Sequence, residues 1–146
     1  MAGAAFSNAM VGIVHSIGHS LGGLCHIPHG QAMMMLLPHC VRYNLDRGIH
    51  AGLYGELLGH LAPARAAALG PDASTAERDK AFCEHLFELN DLYHDQYGVP
   101  LALSELGVTR EDLPAVAKQA RYDGAALYNE TEITLEDALE ILEATY

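Results

Sequence analysis

The sequence is poor in basic residues and rich in acidic ones. Its 146 residues include eight lysines and arginines against 19 aspartates and glutamates, which gives a formal net charge of −11. Nucleic-acid binding depends on clusters of lysine and arginine, whereas the basic residues here are scattered from Arg42 to Arg121, so we expect no nucleic-acid partner. No apolar run approaches the roughly 20 residues that a membrane-spanning helix needs, so we expect no membrane span.

Cysteines and targeting signals are scarce as well. The apolar start has no basic segment of the kind that opens a secretory signal, so we expect none. Three cysteines in an acidic chain of this kind favour a reducing, cytoplasmic setting. The sequence also contains neither Gly-x-Gly-x-x-Gly nor a Walker sequence, so it offers no recognisable phosphate-binding loop.

Hydrophobic residues make up half of the chain, and alanine and leucine dominate among them. β-Branched residues rarely alternate with polar ones, so strand signals are weak and the chain is predicted to be all-α. A chain of 146 residues is long enough to bury a continuous core. We therefore predict a single multi-helix bundle domain over residues 1–146.

Residues that could bind a metal or act in catalysis are concentrated in residues 14–44, which hold five of the nine histidines and two of the three cysteines. Within this stretch, Gly22 and Gly23 would each cost about 1 kcal/mol in a helix interior, and Pro28 about 3 kcal/mol. We therefore predict a first helix that ends near His19, then a tight loop, then a second helix beyond Pro28.

Capping residues and prolines predict the remaining boundaries. Pairs with the spacing of a capping box open three later helices: Ser74 with Glu77, Thr109 with Asp112, and Thr134 with Asp137. The predicted helices span residues 2–19, 30–43 (with a kink or restart at Pro38), 47–61, 74–97, 110–123 and 134–144, with a connection over 62–73 and a short 3₁₀ turn over 103–106. The first helix has no capping residue ahead of it, so we expect the chain to begin inside a helix or inside a longer protein.

Three histidines form the principal candidate site. His15 and His19 are four residues apart and share one helix face, and a glycine-rich loop can return His29 to the same face. Neutral imidazoles bind divalent transition metals, so the spacing favours a metal site at His15 and His29 with His19 beside it as a proton carrier. Two histidines do not complete a catalytic site, which needs at least three protein ligands. Solvated or structural roles are expected for the remaining scaffold histidines His50, His60, His85 and His94.

The same stretch allows two other hypotheses. Four residues could form a structural zinc site, although their spacing is not that of a standard zinc-binding pair: Cys25, His29, His39 and Cys40. Cys25 could also act as a nucleophile paired with His26 or His29, although no orienting partner is identifiable. Cys83 lies in a helical pattern and is expected to be a buried thiol, and residues 33–35 are expected to pack in the core.

Two sets of ordered segments carry a resemblance to a known family. Those of the first half are Ala2–His15, His19-x-Leu-Gly-Gly, Ile27-Pro-His29-Gly, Leu36-Leu-Pro-His and Arg42-Tyr-Asn44. Those of the second half are Tyr97-Gly-Val-Pro-Leu, Leu106-Gly-Val, Asp112-Leu-Pro, residues 120–123 and Ile133-Thr-Leu-Glu-Asp137-Ala. Together they resemble the iron-containing (group III) alcohol dehydrogenases along the whole chain. One departure is Asn129-Glu130-Thr131, where the family usually has Asn-Pro-Arg, and we expect it to alter a local turn.

The resemblance implies the C-terminal, all-helical (dehydroquinate synthase-like) domain of a metal-dependent, NAD(P)-linked alcohol dehydrogenase. By motif, His15 and His29 match two of the family's metal ligands, and His19 matches the histidine near the nicotinamide and substrate. The family's other two ligands, an Asp-x-x-x-His pair, and its dinucleotide loop have no counterpart here. We therefore expect a domain truncated on its N-terminal side, without the nucleotide-binding domain.

Several functional expectations follow from the resemblance. The parent enzymes would use ferrous iron, or zinc as the alternative, with NAD or NADP, on small alcohols and aldehydes. The isolated chain is expected to be inactive and to self-associate, as a homo-oligomer, through the apolar face that would meet the missing domain. The alternative is a non-catalytic helical metal-binding or interaction subunit that needs a partner chain.

Overall fold

A computed structural model describes residues 2–146. Within that range the chain is all-α and contains no β-strand, which confirms the predicted fold class. The helices are α1 (Ala2–Ala9), α2 (Ile13–Cys25), α3 (His29–Asp46), α4 (Leu53–Leu61), α5 (Pro63–Ala68), α6 (Thr75–Tyr97), α7 (Leu113–Tyr122) and α8 (Leu135–Thr145). Two 3₁₀ turns span Leu103–Leu106 and Gly124–Tyr128. Among the described residues, no helix is both long and apolar enough to cross a membrane.

Two clusters of buried side chains hold the bundle together. The larger cluster joins α2 and α3 to α7 and α8, with fully buried residues such as Leu21, Leu36, Val116 and Leu142 at its centre. The smaller cluster joins α3 to α4 and α6 around Leu58. Helix α3 contributes to both clusters, and this shared burial positions its first residues beside α2.

The predicted helix over residues 2–19 is wrong at its middle and at its end. The chain leaves α1 through Met10, whose positive φ of 61° lies in the left-handed region, and α2 begins afresh after Gly12. Helix α2 then continues through Gly22 and Gly23 to Cys25. Burial of its apolar face offsets the low helix propensity of the two glycines, because tertiary packing outweighs roughly 1 kcal/mol per residue.

The loop before α3 is correspondingly short. His26 adopts the left-handed conformation, with φ of 59°, and its N–H donates to the carbonyl of Leu21, which ends α2. Pro28 is the residue that precedes α3, as the sequence predicts, because its fixed φ suits a helix entry. Only residues 26–28 separate the two helices.

Helix α3 continues through Pro38 without the predicted restart. A proline has no N–H, so the carbonyl of Met34, four residues earlier, loses its usual helical donor. The side-chain amide of Asn90 on α6 donates to that carbonyl at 2.9 Å. The thiol of Cys83, also on α6 and buried as predicted, donates to the Pro38 carbonyl at 3.6 Å. The neighbouring helix thus supplies the polar partners near the proline.

The region after α3 also differs from the prediction. Residues 47–52 form turns, not the first part of a helix, because His50 and the flanking Gly48 and Gly52 have positive φ angles. The N-terminus of α4 is capped from α6: the buried carboxylate of Asp79 accepts from the N–H groups of Gly52 (2.6 Å) and Gly55 (2.7 Å). The predicted connection over 62–73 contains the short helix α5, which has its proline at the first helical position.

The predicted caps are confirmed in two of three cases. Ser74 with Glu77 and Thr134 with Asp137 form complete capping boxes on α6 and α8. Thr109 does bond to Asp112, through its N–H and its hydroxyl, but this pair closes a turn and α7 begins only at Leu113. The 3₁₀ turn over 103–106 is confirmed, whereas the one over 124–128 was not predicted.

Candidate functional site

The structure brings the three candidate histidines together, two from α2 and one from the start of α3. The ring centroids of His15 and His29 lie 5.5 Å apart, those of His15 and His19 5.6 Å, and those of His19 and His29 5.7 Å. We refer to these three side chains as the histidine triangle. Helix α2 carries two of them one turn apart, and His29 is the first residue of α3.

The residue pattern of α2 explains why His15 and His19 point away from the core. Ile13, Ile17 and Leu21, at spacings of four, are at most 2% exposed and anchor the opposite face in the core. His15 and His19 are offset from them by two residues, which places the imidazoles on the far side of the helix. The sequence therefore pairs an apolar anchor with a histidine face.

Gly18 lies where α2 meets the side chain of Met33 on α3. A Cβ atom at this position would lie 1.8 Å from the terminal methyl of Met33 on α3. The missing side chain thus leaves room for Met33 between the two helices that carry the histidine triangle.

Electrostatics favour the neutral form of His15. Burial lowers its pKa below the ordinary histidine value, the neighbouring His19 and His29 lower it further, and Asp123 opposes the shift. A neutral imidazole is the form that binds a metal ion, since the lone pair of one ring nitrogen must be free. The donor chemistry of His15 and His29 therefore fits a divalent transition metal such as iron or zinc.

The donor set within the described residues is partial. Across residues 2–146, no three histidine, cysteine, aspartate or glutamate side chains are grouped so that they could hold a metal ion. The rings of the histidine triangle are close to one another, yet closeness of centroids is a weaker condition than three nitrogens facing one point. His15 and His29 alone therefore do not make a complete metal site, which needs at least three protein ligands.

His19 has a carboxylate partner from a distant part of the chain. Its Nδ1 lies 3.2 Å from Oδ2 and 3.4 Å from Oδ1 of Asp123, the residue that follows α7. The same Asp123 caps the second 3₁₀ turn, because its Oδ1 accepts from the N–H of Ala125 at 2.8 Å. Sequence reasoning did not single out Asp123 for this role, since the pair is separated by 104 positions.

A cleft of about 490 Å³ opens beside His19 and Asp123. Met10 and Val11 line one side of it, and the 3₁₀ turn over 124–128 lines the other, including Leu127. Met10 and Leu127 are strongly exposed at 42% and 82%. The cleft thus combines an apolar wall with an imidazole and a carboxylate, the usual make-up of a site for a small polar molecule.

Asn129 is a second residue that the sequence alone did not assign. Its Oδ1 faces the N–H of Ile13 in the first turn of α2 at 3.4 Å, and its Nδ2 donates to the carbonyl of Thr131. A Cβ at Gly12 would lie 3.0 Å from the same Oδ1, so a larger residue there would require the Asn129 side chain to shift. Asn129 therefore accepts a hydrogen bond from one of the free N–H groups in the first turn of the helix that carries His15 and His19.

A larger cavity, of about 530 Å³, lies between α3 and α6 and shares no lining residue with the His19 cleft. Its buried carboxylate, Asp79, already binds the two N–H groups at the start of α4. Arg42, Lys80 and Glu84 also line it, with charges of both signs. We therefore take the histidine triangle, and not this larger cavity, as the candidate functional site.

The alternative cysteine sites do not form. Among the described residues, no cluster of three potential ligands forms, so the structural zinc site hypothesised from Cys25, His29, His39 and Cys40 is not present. Burial and the nearby Asp112 raise the pKa of the Cys25 thiol, which disfavours the thiolate that a nucleophile requires. All three cysteines are free.

The four scaffold histidines lie outside the histidine triangle. His50 binds Glu130 at 2.9 Å, and His94 Nδ1 lies 2.9 Å from the carbonyl of Val99. His60 is exposed and His85 is half-buried. These positions match the solvated or structural roles expected of them.

Comparison with known proteins identifies relatives of one kind. A family model described as "Fe-containing alcohol dehydrogenase family, C-terminal" matches residues 1–146. The chain is 37% identical to lactaldehyde reductase of Escherichia coli (strain K12) over 141 residues. The matched region covers 97% of this chain and 34% of that protein. It is 32% identical over 146 residues to alcohol dehydrogenase 4 of Saccharomyces cerevisiae (strain YJM789), covering 100% of this chain and 34% of the relative.

A solved structure has the same fold. The alcohol dehydrogenase from Oenococcus oeni superposes with a TM-score of 0.81 and 32% sequence identity, over 99% of this chain and 35% of that one. The chain therefore spans about a third of the length of the curated relatives it matches.

Proposed function

This chain belongs to the Fe-containing alcohol dehydrogenase family, and on that premise we propose that it supplies the helical, metal-binding part of an NAD(P)-linked alcohol dehydrogenase. The observation that carries the proposal is the histidine triangle, in which α2 and α3 place three imidazoles within 5.7 Å of one another. The reaction would interconvert a small alcohol with its aldehyde or ketone.

In this proposal His15 and His29 each contribute one nitrogen ligand to a divalent metal ion, ferrous iron or zinc. When bound, the ion would supply Lewis-acid polarisation of the substrate oxygen. The lowered pKa of His15 supports its part in this role, because the neutral imidazole is available without loss of a proton. The remaining ligands would come from residues outside these 146.

His19 is the proposed catalytic histidine. It borders the cleft of about 490 Å³ and neighbours both proposed ligands, so a substrate oxygen held near the ligands would lie within reach of its ring. We assign it the transfer of the hydroxyl proton, or the positioning of that hydroxyl. The apolar wall at Met10 and Leu127 would receive the carbon chain.

The nicotinamide cofactor, NAD or NADP, would be bound by segments outside residues 1–146, since this sequence has no dinucleotide-binding loop. The relatives' names, lactaldehyde reductase and alcohol dehydrogenase, support a small alcohol or aldehyde as substrate. The three free cysteines support the proposed reducing, cytoplasmic setting.

Metal titration of the purified 146-residue chain tests the ligand assignment. We expect Co²⁺ to bind with weak but measurable affinity by calorimetry, with d–d absorption bands that report nitrogen ligation. Removing a ligand should cost at least as much as losing an outer-shell partner, so His15→Gln and His29→Gln should each weaken binding by more than about tenfold.

The matched control is His60→Gln, since His60 is an exposed histidine on α4. It should bind the metal like the unchanged chain. Equal affinity in all four proteins would reject His15 and His29 as ligands, as would binding that is lost only with His60.

A second candidate function is a non-catalytic, metal-binding or interaction subunit. The partial donor set of the described residues favours it, because such a subunit would need a partner chain to complete the site. The upstream coding sequence discriminates the two: an Asp-x-x-x-His pair and a dinucleotide loop in the same reading frame would support the enzyme. Their absence, together with a separate partner gene product that restores metal affinity, would support the subunit.

A further inference from the structure

The contact between Asp123 and His19 reaches across the fold and involves a specific ring nitrogen. Asp123 directly follows α7, His19 lies in the middle of α2, and their contact is through His19 Nδ1 at 3.2 Å. We propose that Asp123 is a positioning residue that holds His19 in the tautomer with its proton on Nδ1 and with an unprotonated Nε2. The part of this inference that concerns substrate rests on the proposed function, because only there does Nε2 act on a hydroxyl.

The argument for the tautomer follows from the hydrogen-bonding capacity of each group. An ionised carboxylate only accepts hydrogen bonds, whereas a neutral imidazole has one N–H donor and one acceptor nitrogen. With the carboxylate at Nδ1, a neutral His19 must place its single proton there, so its lone pair remains on Nε2. An imidazole held in this way offers an acceptor for a substrate proton.

Asp123 is itself held from a third element, which gives the contact a defined direction. The N–H of Ala125 donates to its Oδ1 at 2.8 Å, at the start of the 3₁₀ turn that lines the cleft. The oxygen nearer to His19 is the other one, Oδ2. One carboxylate oxygen is thus committed to the backbone, while the second is the closer partner of the imidazole. The side chain of Asp123 is 24% exposed and that of His19 is 44% exposed, so solvent competes only in part.

A purely structural cap is the competing explanation, and Asp123→Asn separates the two. The asparagine side-chain oxygen can still accept from the N–H of Ala125, so the cap is retained. Its NH₂ group then faces Nδ1 of His19, where the carboxylate oxygen was. An amide donor at Nδ1 requires an acceptor there, so the substitution should move the His19 proton to Nε2.

The test is ¹⁵N NMR of the full 146-residue chain with labelled histidine, without metal, at a pH well above the ordinary histidine pKa. Long-range ¹H–¹⁵N spectra distinguish protonated from unprotonated ring nitrogens, and His19→Gln identifies the His19 signals by their disappearance. We expect Nδ1 to carry the proton in the unchanged chain and Nε2 to carry most of it in Asp123→Asn. Asp72→Asn, which alters an exposed carboxylate before α6, should leave the His19 signals unchanged.

Two results would overturn the inference: an unchanged chain in which Nε2 of His19 carries the proton, or the same tautomer mixture with and without Asp123→Asn. The first result needs no variant, so the inference stays testable even if Asp123→Asn fails to fold. Because the tautomer is read without metal or substrate, its failure is distinguishable from failure of the Co²⁺ titration that tests the proposed function.

Discussion

The side-chain amide of Asn90 on α6 donates a hydrogen bond of 2.9 Å to the backbone carbonyl of Met34 on α3. That carbonyl would ordinarily accept from the N–H of residue 38, which is a proline. One polar side chain on a neighbouring helix thus replaces the intrahelical hydrogen bond that Pro38 removes. This relationship explains how α3, the helix shared by both clusters of buried side chains, runs unbroken from His29 to Asp46.

Asn90→Ala should therefore destabilise the protein by about 1–2 kcal/mol, because it leaves a partly buried carbonyl without a donor. Pro38→Ala restores the helical N–H, so in that background Asn90→Ala should cost clearly less. Urea unfolding of the four proteins gives the coupling free energy directly. Equal costs of Asn90→Ala in both backgrounds would show that the amide does not compensate for the proline.

His39 should make the stability depend on pH. Burial, with a smaller contribution from nearby Arg42, lowers its pKa to about 4 from the ordinary histidine value of 6.5. Its ring packs edge-on against Phe87, and its Nδ1 is buried without a hydrogen-bond partner in the described structure. The unfolded chain therefore binds the proton more tightly than the folded one, so this contribution is complete above about pH 6.5 and is lost as the pH falls towards 4.

The expected loss over this pH interval is about 2 kcal/mol, after allowance for the partial exposure of the ring. The measurement is the free energy of unfolding from urea titrations between pH 7.5 and 4, in steps, for the unchanged chain and His39→Gln. The difference between the two proteins should change with pH, with the variant losing less stability on acidification. A difference that is constant across the range would contradict the prediction.

The 146-residue chain alone should show no alcohol dehydrogenase turnover. The described residues provide only a partial donor set, and the sequence has no dinucleotide-binding loop. The assay supplies ferrous iron or zinc, NAD(H) or NADP(H), and a panel of small alcohols and aldehydes, with lactaldehyde reductase as the positive control. Turnover above background that is lost in His15→Gln would mean that these residues suffice for catalysis.

The chain should also self-associate through the surface around the His19 cleft. Met10 and Leu127 line it and are 42% and 82% exposed, which leaves apolar side chains in contact with water. Light scattering across a concentration series should give an average mass above that of the monomer. The double substitution Met10→Ser with Leu127→Ser should lower it.

Leu61→Ser is the matched control for this experiment, because Leu61 on α4 is 64% exposed but does not line the cleft. It should leave the association unchanged. A monomer at every concentration would contradict the prediction, and equal effects of the two sets of substitutions would move the contact surface away from the cleft.

Local signals in the sequence were sufficient for a substantial part of this protein. The all-α class, the capping boxes at Ser74 and Thr134, and the entry of α3 after Pro28 depend on residues within one or two turns of each other. The pairing of His15 with His19 has the same origin, since a spacing of four puts both on one helix face. These features are short-range, so they survive in any context that keeps the helices.

Tertiary structure decided the remainder, because distant residues supplied free energy or hydrogen bonds that no local pattern records. Burial of Leu21 and its neighbours carries α2 through Gly22 and Gly23, and Asn90 allows α3 to continue past Pro38. Packing of α2 against α7 also brings Asp123 to His19 across 104 positions. The sequence by itself determined that His15 and His29 are candidate metal ligands. Only the folded chain determined that Asp123 is the carboxylate that contacts His19.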